Sequence, residues 1–109
     1  MGLKKLRDAL LSITPNVYHF EAQGEPPYIV WAEEGQAGAS YGDGKMSRQV
    51  LTGTIDYYTK DEYDAGVWLI QNALNTVDIG WRLNSIQLED EIGVVHYEWV
   101  WTMAVNPFG

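Results

Sequence analysis

The sequence predicts an α+β domain: an antiparallel sheet of about five strands with two helices packed on one face, in the order helix, three strands, helix, two strands. Two observations carry this expectation. The stretch Val50-Leu51-Thr52-Gly53-Thr54-Ile55-Asp56-Tyr57-Tyr58 alternates with period two, and an apolar stripe of helical spacing follows it closely: Tyr63, Val67, Ile70, Leu74 and Val77. The run over residues 94–103 alternates again. Val95, Tyr97, Trp99, Trp101 and Met103 fall on one face, expected to meet the helices, and Val94, His96, Glu98, Val100 and Thr102 on the other.

The elements follow in chain order. Leu3, Leu6, Leu10 and Ile13 recur at helical spacing, so residues 3–13 form a first helix that Thr14-Pro15-Asn16 stops. Residues 17–22 and 28–33 read as two strands joined by the turn Gln23-Gly24-Glu25-Pro26-Pro27, which predicts a hairpin. Residues 35–46 are rich in glycine and carry few side chains able to pack a core, so a flexible loop is expected there. In the third strand Leu51, Gly53, Ile55 and Tyr57 share the buried face. Thr59-Lys60-Asp61-Glu62 has the form of a capping box that opens the second helix, with Asp61 and Asp64 complementing its positive end. Residues 81–89 and 94–103 are the last two strands, about the turn Glu89-Asp90-Glu91-Ile92-Gly93. No repeat or linker divides the chain, so residues 1–109 form a single domain.

With 46% hydrophobic residues, five Trp and seven Tyr, the chain is too apolar and aromatic to remain disordered. It has no cysteine, which excludes disulfides and thiolate metal sites. The first residues, Met1-Gly2-Leu3-Lys4-Lys5-Leu6-Arg7-Asp8, have no continuous apolar run behind them, and no segment approaches a membrane span, so a soluble protein without a secretion signal is expected. Seven basic residues stand against fifteen acidic ones, a net charge of −8. An acidic surface repels phosphate and argues against sequence reading of DNA or RNA. Tyr28, Trp31, Tyr58 and Trp68 fall off the faces assigned to the core, which predicts an aromatic partner surface.

Catalytic signatures are weak. The fragments Gly35-Gln36-Ala37-Gly38 and Gly42-Asp43-Gly44-Lys45-Met46-Ser47 lack the spacing of a phosphate-binding loop. Ser40, Ser47 and Ser85 have no nucleophile-elbow context that would recruit His19 or His96. Glu33-Glu34 and Asp61-Glu62-Asp64 are explained by solvation and helix capping. One constellation remains: two His-x-Glu steps, His19 with Glu21 and His96 with Glu98, each with imidazole and carboxylate on one strand face. Were those strands neighbours, the four side chains would suit a divalent metal. Two His and two Glu on an outward face are also an ordinary solvated surface, and no metal, cofactor or enzymatic activity is assigned.

The stretch from Gln49 through Tyr57-Tyr58-Thr59-Lys60-Asp61-Glu62-Tyr63-Asp64, with Gly80-Trp81-Arg82-Leu83-Asn84-Ser85 and His96-Tyr97-Glu98-Trp99-Val100-Trp101, resembles small tail terminator or tail completion proteins of siphophages and myophages, of the kind found in Gram-positive prophages. The resemblance implies a structural, non-enzymatic virion protein assembled in the bacterial host cytoplasm. Such a subunit forms a ring, commonly a hexamer, caps the tail tube, meets the head-completion protein and lets DNA pass without sequence-specific binding. An acidic lumen would not retard that DNA. Trp31, Glu34, Gly38, Tyr41, Arg48, Tyr58 and Trp68 are the expected contact residues. The alternatives are a head-tail connector or stopper subunit, or a small non-phage ligand-binding domain whose pocket is lined by Trp81, Trp99 and Trp101.

Overall fold

The computed structural model describes residues 2–106. The elements are α1 (Gly2–Leu11), β1 (Val17–His19), β2 (Tyr28–Gly42), β3 (Lys45–Thr59), α2 (Gly66–Leu74), β4 (Gly80–Glu89) and β5 (Val94–Val105). The five strands make one sheet in the order β1-β2-β3-β5-β4. The α+β class and the order of elements agree with the sequence reading.

The core lies on one face of this sheet, because the apolar residues of three central strands share parity. Ile29 and Trp31 of β2, Ile55 and Tyr57 of β3, and Trp99, Trp101 and Met103 of β5 pack there with Leu6 and Leu10 of α1 and Val67, Ile70 and Leu74 of α2. The central rungs are Trp31 beside Ile55 and Ile55 beside Trp99. The two fully buried indoles find acceptors: Trp99 Nε1 donates to Gln71 Oε1 at 3.2 Å and Trp101 Nε1 to the Thr54 carbonyl at 3.1 Å. Among the described residues, no buried side-chain polar atom lacks a partner. No helix among them is long and apolar enough to cross a membrane.

Four expectations need correction. The first two strands are parallel rather than a hairpin, with Val17 beside Ile29 and His19 beside Trp31. Two backbone bonds lock this arrangement, Phe20 N–H to the Trp31 carbonyl and Ile29 N–H to the Asn16 carbonyl, each 2.9 Å. Parallel neighbours usually need a long crossover. Here β1 is only three residues, so the short connection suffices to return, turning at Phe20 (φ +71°) and Gly24 (φ +91°).

The second correction concerns residues 35–46. They are not a loop: β2 runs on to Gly42 and β3 begins at Lys45, so nearly all of the segment is strand, turning only at Asp43 and Gly44, both at positive φ. Backbone pairing with β3 overrides the poor strand propensity of glycine, because the ladder needs amides rather than side chains. Register shifts between Glu33 and Gly35, Gln36 and Gly38, and Ser40 and Tyr41 mark bulges that bend the ribbon.

The third is the start of α2. Thr59 is the last residue of β3, held opposite Val95, so no helix can begin there. Asp64 takes the capping role: its Oδ1 accepts from Gly66 N–H at 2.6 Å, and its Oδ2 accepts from the hydroxyls of Thr59 (2.5 Å) and Tyr57 (2.9 Å). The Thr59 oxygen in turn accepts from Asp61 N–H at 3.1 Å. Tyr63, expected on the buried stripe, precedes the helix and is 92% exposed. Glu62 is exposed and outside the helix, so Glu62→Ala should leave stability within about 0.5 kcal/mol of the parent by urea denaturation, where a capping box would lose about 1.

The fourth is Trp31. It shares parity with Ile29 and is a core residue, 5% exposed, rather than a free contact residue.

Candidate functional site

Three surface features carry functional chemistry. The first is the extended β2–β3 hairpin. β5 accompanies β3 only as far as the rung Gln49 to Val105, and β1 accompanies β2 only as far as Trp31. Beyond the rung Ala39 to Gln49 the ribbon is two strands alone, carrying Ser40, Tyr41, Lys45, Met46 and Arg48, and it gives the molecule a long axis of 53 Å against 24 and 23 Å. Two-stranded ribbons are marginal in water by themselves. Tyr41 is 67% exposed, with no cover among the described residues, and Arg48, opposite Ser40 in the ladder, is exposed as well.

The second is an apolar groove of about 260 Å³ between α2 and β4, lined by residues that include Tyr63, Trp68, Leu83, Ile86 and Tyr97. Trp68 is 66% exposed and Ile86 58%, because the stripe buried by α2 is only Val67, Ile70 and Leu74 and leaves Trp68 and Leu69 outward. β4 is an edge strand, and its apolar residues meet solvent on one side. The groove lies at the level of Tyr57 and Tyr97, eleven residues of β3 away from Met46, or roughly 35 Å along the strand.

The third is on the helix-free face, where an aromatic row crosses four strands. Tyr18 meets Tyr28 edge-on at 6.1 Å, Tyr28 meets Tyr58 at 5.1 Å, and Tyr58 stacks on His96 at 4.2 Å. Burial, with Asp56 and Glu89 nearby, pushes the Tyr58 hydroxyl up to about 12. His96 ends the row inside a set of acids. Its Nε2 is 2.6 Å from Asp56 Oδ1 and its Nδ1 is 3.6 Å from Glu89 Oε1. Glu98, directly opposite Asp56, accepts from Asn84 Nδ2 at 2.8 Å. Burial raises the Asp56 carboxyl above the usual range; the neighbouring His96 opposes that rise and Glu98 adds to it.

The two His-x-Glu steps do not converge. His96 lies on the helix-free face, whereas His19 pairs with Trp31 on the helix face, with β2 and β3 between β1 and β5. His19 contacts Glu33 at 2.5 Å and stacks on Trp31 at 4.0 Å and Phe20 at 4.2 Å, and Glu21 is exposed beyond the strand. His96 and Glu98 do meet a third ligand type, but it is Asp56. Sequence reasoning missed Asp56, Asn84 and Glu89, since nothing short of the pairing register says that Asp56 faces Glu98. Their outward parity on alternating strands was the available signal.

The remaining contact residues are dispersed. Glu34 is exposed at a bulge, Gly38 is half-buried in the ribbon, Trp68 borders the groove, and Tyr58 is half-buried in the aromatic row. Trp99 and Trp101 are fully buried, so a ligand pocket lined by Trp81, Trp99 and Trp101 is replaced by core packing; Trp81 is half-buried and donates to Asn75 at 3.1 Å. Compared with known proteins, the chain matches no family model and no curated relative.

Proposed function

We propose that this protein is a structural assembly subunit that forms a ring through two unlike surfaces, and that it acts as a tail terminator or tail completion protein at the end of a phage tail tube. One observation carries the reading. A hairpin arm that no described residue covers extends beyond one end of the sheet, and an apolar groove rimmed by Tyr63, Trp68 and Ile86 lies toward the other. Unlike surfaces on one chain produce heterologous contacts between copies, and such contacts close into rings when the rotation allows. Aromatic side chains left in water are the usual anchors of such contacts. The resemblance of the segment from Gln49 to Asp64 to tail terminators supplies the biological setting, and a net charge of −8 suits a conduit that must not hold DNA. A head-tail connector or stopper subunit shares these surfaces and differs in which partner it meets.

The test removes the arm and keeps the fold. Ala39 and Gln49 are directly paired, so replacing residues 40–48 by a two-residue Asn-Gly turn closes the hairpin at that rung. The parent should assemble into rings, alone or on a tail tube, by electron microscopy and light scattering. The shortened variant should melt within a few degrees of the parent and remain monomeric. A parent that stays monomeric at high concentration and never binds a tube, or a shortened variant that still assembles, would sink the reading. Co-purification with a tail-tube protein rather than a head protein separates terminator from connector.

A further inference from the structure

We propose that Asp56, His96 and Glu98 form a binding site for a divalent transition-metal ion, zinc being the best match, on the helix-free face of the sheet. One Asp56 oxygen, one His96 ring nitrogen and one Glu98 oxygen all lie within 4.8 Å of one another. Asp56 sits on β3 and the other two on β5, at rungs where Asp56 opposes Glu98 and Tyr58 opposes His96, so the pairing of the two strands presents all three side chains to one point. One imidazole and two carboxylates, with no thiolate in the chain, is the donor set of zinc and related ions rather than of calcium or magnesium, which take oxygen alone.

The surroundings orient each ligand. Stacking on Tyr58 fixes the plane of the His96 ring. Glu89 Oε1 lies 3.6 Å from Nδ1, within ion-pair reach, while Nε2 is hydrogen-bonded to Asp56 Oδ1 at 2.6 Å, so an ion at this point would take the place of the proton shared between Nε2 and Asp56. A metal-binding histidine commonly has an outer carboxylate beside its other ring nitrogen, and Glu89 is the carboxylate on that side of His96. Asn84 holds Glu98 by its amide at 2.8 Å, and the Thr54 hydroxyl bonds to Asp56. The side chains of Asp56 and His96 are only 15% exposed. Three carboxylates around one imidazole leave the cluster negative whichever way the ring is protonated, and a dication would neutralise most of that charge where water screens it poorly. A tetrahedral ion needs neighbouring ligand atoms about 3.3 Å apart, so Nε2 and Asp56 Oδ1, now at 2.6 Å, would separate by less than 1 Å. The ion would bridge β3 to β5, leaving a fourth position to water.

The inference stands apart from the assembly reading and is tested on the monomer. Zinc sulfate is titrated into the full chain after treatment with a chelator, and the melting temperature and the His96 ring-nitrogen NMR resonances are followed. At a hundredfold excess over the dissociation constant, the melting temperature should rise by about 10 °C. The His96 Nε2 resonance should move while those of His19 stay. Glu98→Gln, which keeps the shape of the side chain, should weaken binding at least tenfold, and His96→Gln should abolish it. His19→Gln should bind like the parent. Failure of zinc to shift either readout in the parent would overturn the site, and so would a shift of equal size in both E98Q and H96Q or one lost in H19Q.

Discussion

Gly53→Ala is expected to destabilise the protein by about 3 kcal/mol, lowering its melting temperature by roughly 12 °C or more. Gly53 is buried at the rung where β2, β3 and β5 meet, beside Glu33 on one side and Trp101 on the other. A methyl group built there would lie 2.1 Å from the Ala32 carbonyl oxygen and 2.4 Å from a Trp101 ring carbon. Neither neighbour can yield at little cost, because Ala32 belongs to the ladder just before a bulge and Trp101 is fully buried with its indole nitrogen bonded to Thr54. The carbonyl contact makes the prediction sharper. Trimming the indole in the double variant Gly53→Ala with Trp101→Phe relieves only one of two clashes, so it should not restore stability. Recovery of the parent midpoint in urea would show that the ring alone dictates glycine at this position.

Asp64→Ala is expected to lower stability by about 2–3 kcal/mol. The carboxylate accepts three bonds, two of them from the hydroxyls of Tyr57 and Thr59, which are 5% and 1% exposed. Removing it strands those buried hydroxyls as well as the first free amide of α2. The estimate stays below the sum of three charged hydrogen bonds because Asp64 is itself half exposed and water replaces part of what is lost. The same residue makes stability depend on pH. Burial raises the Asp64 carboxyl, yet the bonds from Thr59, Gly66 and Tyr57 together outweigh it and hold the group below its ordinary value. Its contribution is therefore fully present above the unfolded value of about 4 and is lost as pH falls through the lower folded value. Asp64→Asn should flatten the decline in melting temperature below about pH 4, and an unchanged slope in that variant would show that other carboxylates set it.

Much of the fold was legible because period and parity are local properties. The alternation of Leu51, Gly53, Ile55 and Tyr57, and of Tyr97, Trp99, Trp101 and Met103, places the core on one face without any knowledge of which strands are neighbours. The same holds for Leu6 and Leu10 on α1 and for Val67, Ile70 and Leu74 on α2. The errors share a cause. Glycines in residues 35–46 argue for a loop by propensity, but the strand opposite them supplies the pairing. Thr59-Lys60-Asp61-Glu62 has the text of a helix start, but Thr59 is already held in β3 by Val95. The cluster around His96 follows the same logic: His96 and Glu98 were visible as a pair, whereas Asp56, forty residues earlier than His96, joins them only through the register of β3 on β5.

By itself the sequence determined the class of fold, the order of its elements, the buried face of β3, β5 and the two helices, and the acidic charge. All of these depend on residue type and spacing within a few turns or rungs. The tertiary structure alone decided that β1 runs parallel to β2, that the glycine-rich segment is a two-stranded arm, that Trp31 lies in the core, and that Asp56 joins His96 and Glu98 while His19 sits on the other face. Each of these depends on which backbone amides meet across the sheet. That pairing is chosen by the whole core at once, because a slip of one residue would turn every buried side chain of a strand to solvent.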